Sequence, residues 1–341
     1  MATDILSREQ ALSFLAKVGM ADGEKILREE PRKFLSDLIK AFQAHLPFQC
    51  LSLLAQPLEE RHVPTPEEIV EAGMSLEGGL CFTLNNFMCL LLRALGFKAD
   101  VLDGNFSLSC YPHTHIVVLL SDFSAPGDDY IIDVGGGFPF LEMIPVKDLP
   151  VTRHEVGLEY RYQYLNGTVV RLHRLGQVDS EREQLVVEGD WAQIFHFDLN
   201  PVDVNFVRPY MRNIYVEEGD CDFLRSIRAV RYPPEAALIE EGILPAPEGE
   251  EGESSAGDRC RKEEGVERPA EEGSEREKRI MLAFRDQNLI VGLMDGASKT
   301  KVEEDVLAAR IKKYFPTIPP AKVDVAVQKV LELERQKSNP V

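Results

Sequence analysis

The sequence lacks the features that would place the protein in a membrane or outside the cell. No apolar run approaches the ~20 residues that a membrane-spanning helix needs. The first residues contain no basic region followed by an apolar core, so we expect no signal peptide and a cytoplasmic location. Six cysteines are widely spaced along 341 residues without a Cys-x-x-Cys pair, and disulfides are therefore not expected.

Positive charge is also scarce. The chain has 38 Lys and Arg against 57 Asp and Glu, for a net charge of -19. This excess of negative charge argues against a nucleic-acid partner and against an anionic membrane surface. A phosphate-bearing ligand would therefore need a local basic patch. With 44% hydrophobic and 28% charged residues the composition is globular, and we expect a monomer.

The order of patterns along the chain predicts an α+β protein. Residues 1–96 are predicted to form a helical domain, and residues 97–230 an antiparallel β-barrel or sheet of short β-branched and aromatic strands. Residues 231–279 are predicted to be a linker, and residues 280–341 a hairpin followed by two amphipathic helices. The segment 245–278 carries twelve acidic and six basic residues with almost no large apolar ones, so it is predicted to be a disordered insertion.

A cysteine that follows two glycines organises the chain. Gly78 and Gly79 precede Cys81, and apolar residues at helical spacing follow it as far as Gly96. This pattern predicts Cys81 at a helix N-terminus, where unpaired N–H groups and the helix dipole favour a thiolate. The alternative is that Cys81 is a small buried apolar residue.

A nucleophilic cysteine needs a base within reach and a third group that orients the base. His115 leads into the apolar strand 116–120, and Asp133 lies in a second apolar stretch where an unpaired carboxylate would be costly. If the two strands form a hairpin symmetric about Ser124, residues whose numbers sum to 248 face each other, and His115 lies opposite Asp133. The sequence thus predicts Cys81 as nucleophile, His115 as base and Asp133 as orienter.

Other interpretations of these residues are weaker. His115 could be a satisfied core histidine, and Asp133 could cap a turn. Cys110, His113 and His115 suggest zinc, but no fourth ligand lies at a typical spacing, so we expect no metal. The three glycines at 135–137 lack the Lys-Ser/Thr of a phosphate loop and are better explained as a flexible wall around a site.

At these residues the sequence resembles the arylamine N-acetyltransferase family. The family's Arg-Gly-Gly-x-Cys segment, with Asn four residues further on, is similar to residues 77–81 and Asn85. Its Thr-His before an apolar strand matches residues 114–115, and its Val-Asp-Val-Gly-aromatic-Gly matches residues 132–137. Its Pro-Phe-Glu-Asn segment appears at residues 47–50. The similarity extends to about residue 150.

The resemblance implies a papain-like Cys-His-Asp core between a helical and a β-barrel domain, with the C-terminal region as an α/β lid. Cys81 would take an acetyl group from acetyl-CoA and pass it to an aromatic amine or hydrazine, with His115 as base and Asp133 as orienter. The resemblance also implies an acceptor site that includes Thr114, His115, Gly136 and Phe138. Tyr111 falls where the family contacts the coenzyme.

The chain departs from the family at several of these positions. Glu77 replaces an Arg, Thr83 replaces a Glu or Gln, and Gly136 replaces an aromatic residue that would stack on the acceptor. Gln49 and Cys50 replace Glu and Asn. Two alternatives therefore stay open. One is a papain- or transglutaminase-like hydrolase, and the other is a catalytically silent relative that acts as a binding or scaffold protein.

Overall fold

The structure is a computed structural model, and it describes residues 5–107, 109, 111–176, 185–217, 221–245 and 277–338. Almost all of the predicted insertion at 245–278 lies outside these residues, as do Cys110 and Cys260. No helix within the described ranges has both the length and the apolar character needed to cross a membrane. The described cysteines are free thiols: Cys50, Cys81, Cys89 and Cys221.

Six helices come first along the chain, and five follow. They are α1 (Arg8–Lys17), α2 (Gly23–Glu29), α3 (Pro31–His45), α4 (Leu51–Ala55), α5 (Pro66–Met74), α6 (Cys81–Ala94), α7 (Val204–Val207), α8 (Arg212–Tyr215), α9 (Glu235–Glu240), α10 (Glu304–Tyr314) and α11 (Pro320–Ser338). Phe87 of α6 contacts Phe14 of α1 and Phe42 of α3, with ring centroids 5.1 and 6.1 Å apart. The helix that begins at Cys81 therefore lies at the centre of the N-terminal helices.

The strands in chain order are β1 (Phe48–Gln49), β2 (Lys98–Phe106), β3 (His115–Ser121), β4 (Tyr130–Ile132), β5 (Ile144–Pro145), β6 (Val151–Glu155), β7 (Leu158–Leu165), β8 (Thr168–Arg174), β9 (Leu185–Glu188), β10 (Trp191–Val202), β11 (Arg228–Arg231), β12 (Met281–Arg285), β13 (Asn288–Gly292) and β14 (Ser298–Lys301). Strands β2 to β10 form one antiparallel sheet in the order β5-β4-β3-β2-β10-β8-β7-β6, with β9 paired to β10. The predicted α+β class is confirmed.

Strands β6 and β7 are a hairpin that the sequence analysis missed. A two-residue turn, Val156-Gly157, joins them, and both turn residues have positive φ. Leu158, Tyr160 and Tyr162 alternate along β7 and are fully buried. This alternation is the usual signal of a strand with one buried face, so it was available in the sequence.

The hairpin of β3 and β4 brings His115 and Asp133 together in a register that differs from the prediction. Val118 pairs with Ile132, so paired residue numbers sum to 250, and the predicted symmetry about Ser124 was wrong. A shift of two positions keeps every side chain on the same face of the sheet. Asp133 consequently remains on the face of His115, as a diagonal neighbour.

The connection between β3 and β4 explains the register. Asp122 has a φ of 52°, and its carboxylate accepts the N–H of Gly127 at 2.8 Å. The N–H of Phe123 bonds to the carbonyl of Asp128 at 3.0 Å. These bonds centre the turn on Ala125, one position later than the predicted Ser124, and both Asp122 and Gly127 adopt a left-handed conformation within it.

A second sheet joins the beginning of the chain to its end. Its order is β1-β11-β12-β13-β14, and Phe48 of β1 pairs with Val230 of β11. On its other side Phe48 forms a parallel bridge with Gly79, which lies just before Cys81. The segment that precedes Cys81 is thus attached to the sheet that β12 to β14 complete. The domain boundaries at 96, 230 and 279 stay predictions.

Candidate active site

The approach of the chain to Cys81 requires glycine. Gly78 has a φ of 80°, and a Cβ on it would lie 2.0 Å from the carbonyl oxygen of Pro47. The next N–H, of Gly79, donates to that same oxygen at 3.1 Å. Any side chain at position 78 would break this contact. Cys81 is then the first residue of α6 and is 5% exposed, so its predicted place at a helix N-terminus is confirmed.

His115 and Asp133 form a fully buried pair. Nε2 of His115 lies 3.0 Å from Oδ2 of Asp133, and neither side chain is exposed to solvent. The other ring nitrogen, Nδ1, is buried and makes no hydrogen bond among the described residues, while the thiol of Cys81 lies close enough to raise the pKa of the imidazole. The thiol also points Sγ toward the carbonyl oxygen of Thr114 at 3.8 Å. The imidazole therefore interacts with both the sulfur and the carboxylate.

The charges of this pair reinforce each other. Burial lowers the pKa of His115, but the charge and hydrogen bond of Asp133, together with Cys81, outweigh burial and raise that pKa to about 10. Burial raises the pKa of Asp133, while the charge of His115 and its hydrogen bond lower it overall. The site thus favours an imidazolium beside the sulfur.

Asn85 fixes the carboxylate to the helix of Cys81. Its Nδ2 donates to Oδ1 of Asp133 at 2.9 Å and to the carbonyl oxygen of Ile116 at 2.6 Å. Its Oδ1 accepts the two backbone N–H groups that follow Asp133, each at 3.0 Å. Asn85 lies one helical turn after Cys81, on the same face of α6. The motif includes Asn85, but the sequence pattern alone indicates no role for it. We call Cys81, Asn85, His115 and Asp133 the Cys81 cluster.

The glycines after Asp133 let the strands approach α6 closely. A Cβ on Gly135 would lie 2.9 Å from Nδ2 of Asn85 and 3.0 Å from Cα of Cys81. A Cβ on Gly136 would lie 3.1 Å from Oδ2 of Asp133. The predicted flexible wall is therefore a tightly packed one, and Gly136 lies directly against the carboxylate.

Two phenylalanines enclose the imidazole. The ring centroids of Phe106 and Phe195 lie 5.0 and 4.5 Å from that of His115. The backbone N–H of Phe106 donates to Oγ1 of Thr114 at 2.9 Å, so this predicted acceptor-site hydroxyl is already hydrogen-bonded. The alternating aromatic residues of β10 were the signal that could have identified Phe195 as a wall of the site.

Two other predicted site residues have described contacts away from the Cys81 cluster. Phe138 packs edge-on against His173 at 4.6 Å and lies 5.6 Å from the guanidinium of Arg171. The N–H of Tyr111 donates to Oγ of Ser109 at 3.1 Å, within the turn before β3. Their roles toward acceptor and coenzyme stay predictions.

Phe138 leads to a second buried polar group, which we call the Arg171 cluster: Arg171, His173, Glu155, Tyr160 and Tyr162. Arg171 donates from Nε to Nε2 of His173 at 2.8 Å, and its guanidinium lies 4.2 Å from the ring centroid of Tyr160. The hydroxyl of Tyr160 donates to Glu155 at 2.8 Å. Arg171 was not predicted as a site residue, although it is a charged residue within an apolar strand, which is the signal that identified Asp133.

His113 and His115, two of the three residues that suggested zinc, each pair with a different carboxylate. Nδ1 of His113 lies 2.5 Å from Oδ2 of Asp103, whereas His115 faces Asp133. Cys110 is outside the described residues. Across the described part of the chain, no group of three or more His, Cys, Asp or Glu side chains is placed to hold a metal ion.

A surface groove of about 530 Å³ lies on a different face of α6. It is lined by Phe82, Asn86 and Cys89 of that helix and by residues of α5, β2 and β10. None of the Cys81 cluster lines it. The groove is therefore separate from the buried thiol. The contacts among the side chains of the Cys81 cluster, and not this groove, indicate where the reaction takes place.

An α+β fold that brings a cysteine, a histidine and an aspartate into one buried cluster is the arrangement of papain-like enzymes. A family model described as N-acetyltransferase matches residues 33–220, which is more than half of the chain. The chain belongs to this family. It is a family of enzymes, and it agrees with the resemblance of the motifs.

Individual relatives are distant. An uncharacterized acetyltransferase of Bacillus subtilis, YvcN, is 31% identical over 134 residues, which is 36% of this chain and 50% of that protein. A Mycobacterium marinum arylamine N-acetyltransferase in complex with CoA is 14% identical, with a TM-score of 0.57 over 86% of this chain and 91% of that one. An arylamine N-acetyltransferase of Bacillus cereus, described as having a unique Cys-His-Glu catalytic triad, is 18% identical, with a TM-score of 0.58 over 89% and 96%. Both structures share the fold of this chain.

Proposed function

We propose that this enzyme transfers an acetyl group from acetyl-CoA to an arylamine, hydrazine or related amine through a thioester on Cys81. The proposal rests above all on one observation. Nε2 of His115 lies 3.0 Å from the carboxylate of Asp133, and the thiol of Cys81 is close enough to the same imidazole to raise its pKa. That arrangement is the one that a cysteine nucleophile, its base and an orienting group require.

In the first half-reaction the thiol proton resides on His115, and the thiolate of Cys81 attacks the carbonyl carbon of the donor thioester. Asp133 stabilises the imidazolium through its charge and its hydrogen bond. The tetrahedral oxyanion would meet the first N–H groups of α6, which have no acceptor within the helix. The carbon–sulfur bond to coenzyme A then breaks, and His115 returns the proton to the departing sulfur.

In the second half-reaction an amine enters the cleft that coenzyme A has left. His115 accepts the amine proton as nitrogen attacks the acetyl carbon, and the thiolate of Cys81 departs. The kinetics are then ping-pong. Water must be kept from the thioester, and the burial of the Cys81 cluster supports transfer over hydrolysis because Phe106 and Phe195 cover the imidazole.

The choice of donor and acceptor rests on the family. A similar structure is described as a complex with CoA, which favours an acyl-CoA donor. The acceptor side differs, because Gly136 replaces an aromatic residue that would stack on the acceptor, and stacking of this kind adds about 0.5–1.5 kcal/mol. We therefore expect weaker binding of simple arylamines, expressed as a high KM rather than a low kcat.

Intact mass spectrometry after incubation with acetyl-CoA tests the proposal. We expect one acetyl group on the wild-type enzyme and none on Cys81→Ala. Addition of an arylamine or hydrazine should remove the label and yield the acetylated amine. A panel of longer acyl-CoA donors, run in the same way, would identify the preferred chain.

Each outcome separates the candidate functions. Acetate formed steadily without an amine would indicate a hydrolase. Failure of every acyl-CoA to label Cys81, combined with slow alkylation of this thiol by iodoacetamide, would indicate a catalytically silent relative. A stable label that only an amine discharges supports the transferase.

A further inference from the structure

Glu77 lies four residues before Cys81, where the family carries an arginine, and the structure gives its charge a specific partner. The side chain is 12% exposed. Its Oε1 accepts from Oγ of Ser52 at 2.5 Å and from Nζ of Lys322 at 2.6 Å. Lys322 is 245 residues further along the chain, in the first turn of α11.

A closed network holds the backbone of Glu77 as well as its carboxylate. Nε2 of Gln49 donates to Oγ of Ser52 at 2.8 Å and lies 3.4 Å from the carbonyl oxygen of Glu77. In turn, the N–H of Ser52 donates to Oε1 of Gln49 at 3.1 Å. Gln49 itself belongs to β1, and its N–H donates to the carbonyl oxygen of Gly79 at 3.0 Å. The network therefore frames the glycine pair that delivers Cys81.

Lys322 is the member of this network that comes from the C-terminal region. Its side chain is 44% exposed, so the ammonium remains partly hydrated while the carboxylate it meets is nearly buried. Without it, Glu77 would keep Ser52 as a partner but would leave a partly buried carboxylate without a counter-ion. Such a charge near the N-terminus of α6 would draw the loop toward solvent and would oppose a thiolate.

We propose that Lys322 is a positioning residue for acyl transfer, whose ion pair with Glu77 ties α11 to the loop that holds Cys81. This inference rests on the proposed function for its link to acyl transfer. The reversed charge at position 77 is then matched by a cation from the other end of the chain. The pair couples the candidate lid to the nucleophile.

The test compares Lys322→Ala with a matched lysine of the same region. Lys312 of α10 pairs with Asp324 of α11 at 2.5 Å, an ion pair of similar length that does not reach the loop. Lys312→Ala is the control. The readouts are the rate of alkylation of Cys81 by iodoacetamide near neutral pH and the rate of its acetylation by acetyl-CoA, with thermal unfolding to check the fold.

We expect Lys322→Ala to slow both reactions by about tenfold, which corresponds to about 1.4 kcal/mol and lies between the values for exposed and fully buried ion pairs, and Lys312→Ala to change them less than twofold. Glu77→Gln keeps the acceptor for Ser52 but removes the charge. In the Lys322→Ala background it should therefore recover most of the lost rate, which a loss of packing would not do.

The outcomes separate this inference from the proposed function. If Lys322→Ala behaves like Lys312→Ala, or if Glu77→Gln deepens its defect, the positioning role is wrong even where the wild type is acetylated normally. If the wild type is never acetylated, the proposed function fails, while the alkylation rates still decide the role of Lys322.

Discussion

The molecule contains two fully buried histidines whose surroundings shift their pKa values in opposite directions. His115 in the Cys81 cluster faces Asp133, and its pKa is raised to about 10 although burial lowers it. His173 in the Arg171 cluster accepts from Arg171, and burial together with that cation holds its pKa well below the ordinary value. Burial is the same in both places, so the charge of the partner decides the chemistry.

The comparison explains why the Cys81 cluster is the better candidate for catalysis. An imidazolium stabilised by a carboxylate can hold the proton of an adjacent thiol and return it. A neutral imidazole that accepts from a guanidinium cannot exchange a proton at that nitrogen, and His173 has no thiol among its described contacts. Each cluster contains a fully buried histidine, but only the Cys81 cluster is a candidate reactive site, and the Arg171 cluster is a structural network.

The largest expected effect comes from removing the carboxylate charge of the Cys81 cluster, compared with removing that of the Arg171 cluster. Asp133→Asn keeps the shape of the side chain but loses the charge that stabilises the imidazolium, so we expect kcat/KM for acetyl transfer to fall about 10³–10⁴-fold. Glu155→Gln in the Arg171 cluster should cost less than tenfold. Steady-state assays with acetyl-CoA and an arylamine compare them. Similar losses for the two variants would remove the distinction between the clusters.

The next effect concerns the close approach of the strands to α6. Gly135→Ala places a Cβ 3.0 Å from Cα of Cys81, and backbone cannot yield easily, so we expect activity to fall at least tenfold with a loss of about 1–3 kcal/mol in stability. Gly296→Ala meets no atom within 4 Å and should be neutral. Chemical denaturation and the acetylation assay measure both. A neutral Gly135→Ala would contradict the packing described here.

A smaller effect is expected at Asn85. Its loss leaves the N–H of Val134 without its buried partner, the N–H of Gly135 with only a 3.3 Å contact to Asp133, and that carboxylate with one donor fewer, so Asn85→Ala should lower the free energy of unfolding by about 2–4 kcal/mol. Asn86, on the next position of α6, donates to the carbonyl oxygen of Phe82 and provides the control. We expect Asn86→Ala to cost less than half as much. Equal costs would show that Asn85 does not act as a clamp.

The smallest effect per step is the pH dependence of stability, at most about 1.4 kcal/mol per pH unit, which should have opposite signs for the two histidines. The folded-state pKa of His115 is raised above 6.5, so its contribution is complete below pH 6.5 and is lost as the pH rises toward about 10. The folded-state pKa of His173 is lowered, so stability is present above pH 6.5 and is lost as the pH falls and the unfolded chain binds a proton.

Denaturation curves over this pH range check the prediction. His115→Gln should remove an alkaline loss of stability that the wild type shows, and His173→Gln should remove an acidic one. Each slope is at most about 1.4 kcal/mol per pH unit for one proton. Slopes of the same sign would mean that burial, and not the partner charge, governs both sites.

The core of the site could be predicted because its signals are local. Gly78 and Gly79 before a helical run placed Cys81, and a carboxylate in an apolar strand singled out Asp133. The partnership with His115 survived an error in register because a shift of two positions preserves the face of the strand.

The remaining features depend on contacts that no local pattern specifies. Lys322 and Glu77 are 245 residues apart, so their ion pair follows from how α11 docks. Arg171 carried the same signal as Asp133, a charge within an apolar strand, yet its partners are an aromatic ring on the neighbouring strand β7 and a histidine two residues along its own strand. Such environments are decided by the packing of the sheet.

The central claim is that Cys81 forms a thioester that an amine must discharge. Rapid mixing of the enzyme with acetyl-CoA, with release of coenzyme A followed over time, tests it directly. We predict a burst of one equivalent of coenzyme A per enzyme, then almost no turnover until an arylamine or hydrazine is added. Absence of a burst, or continued release without an amine, would contradict the account.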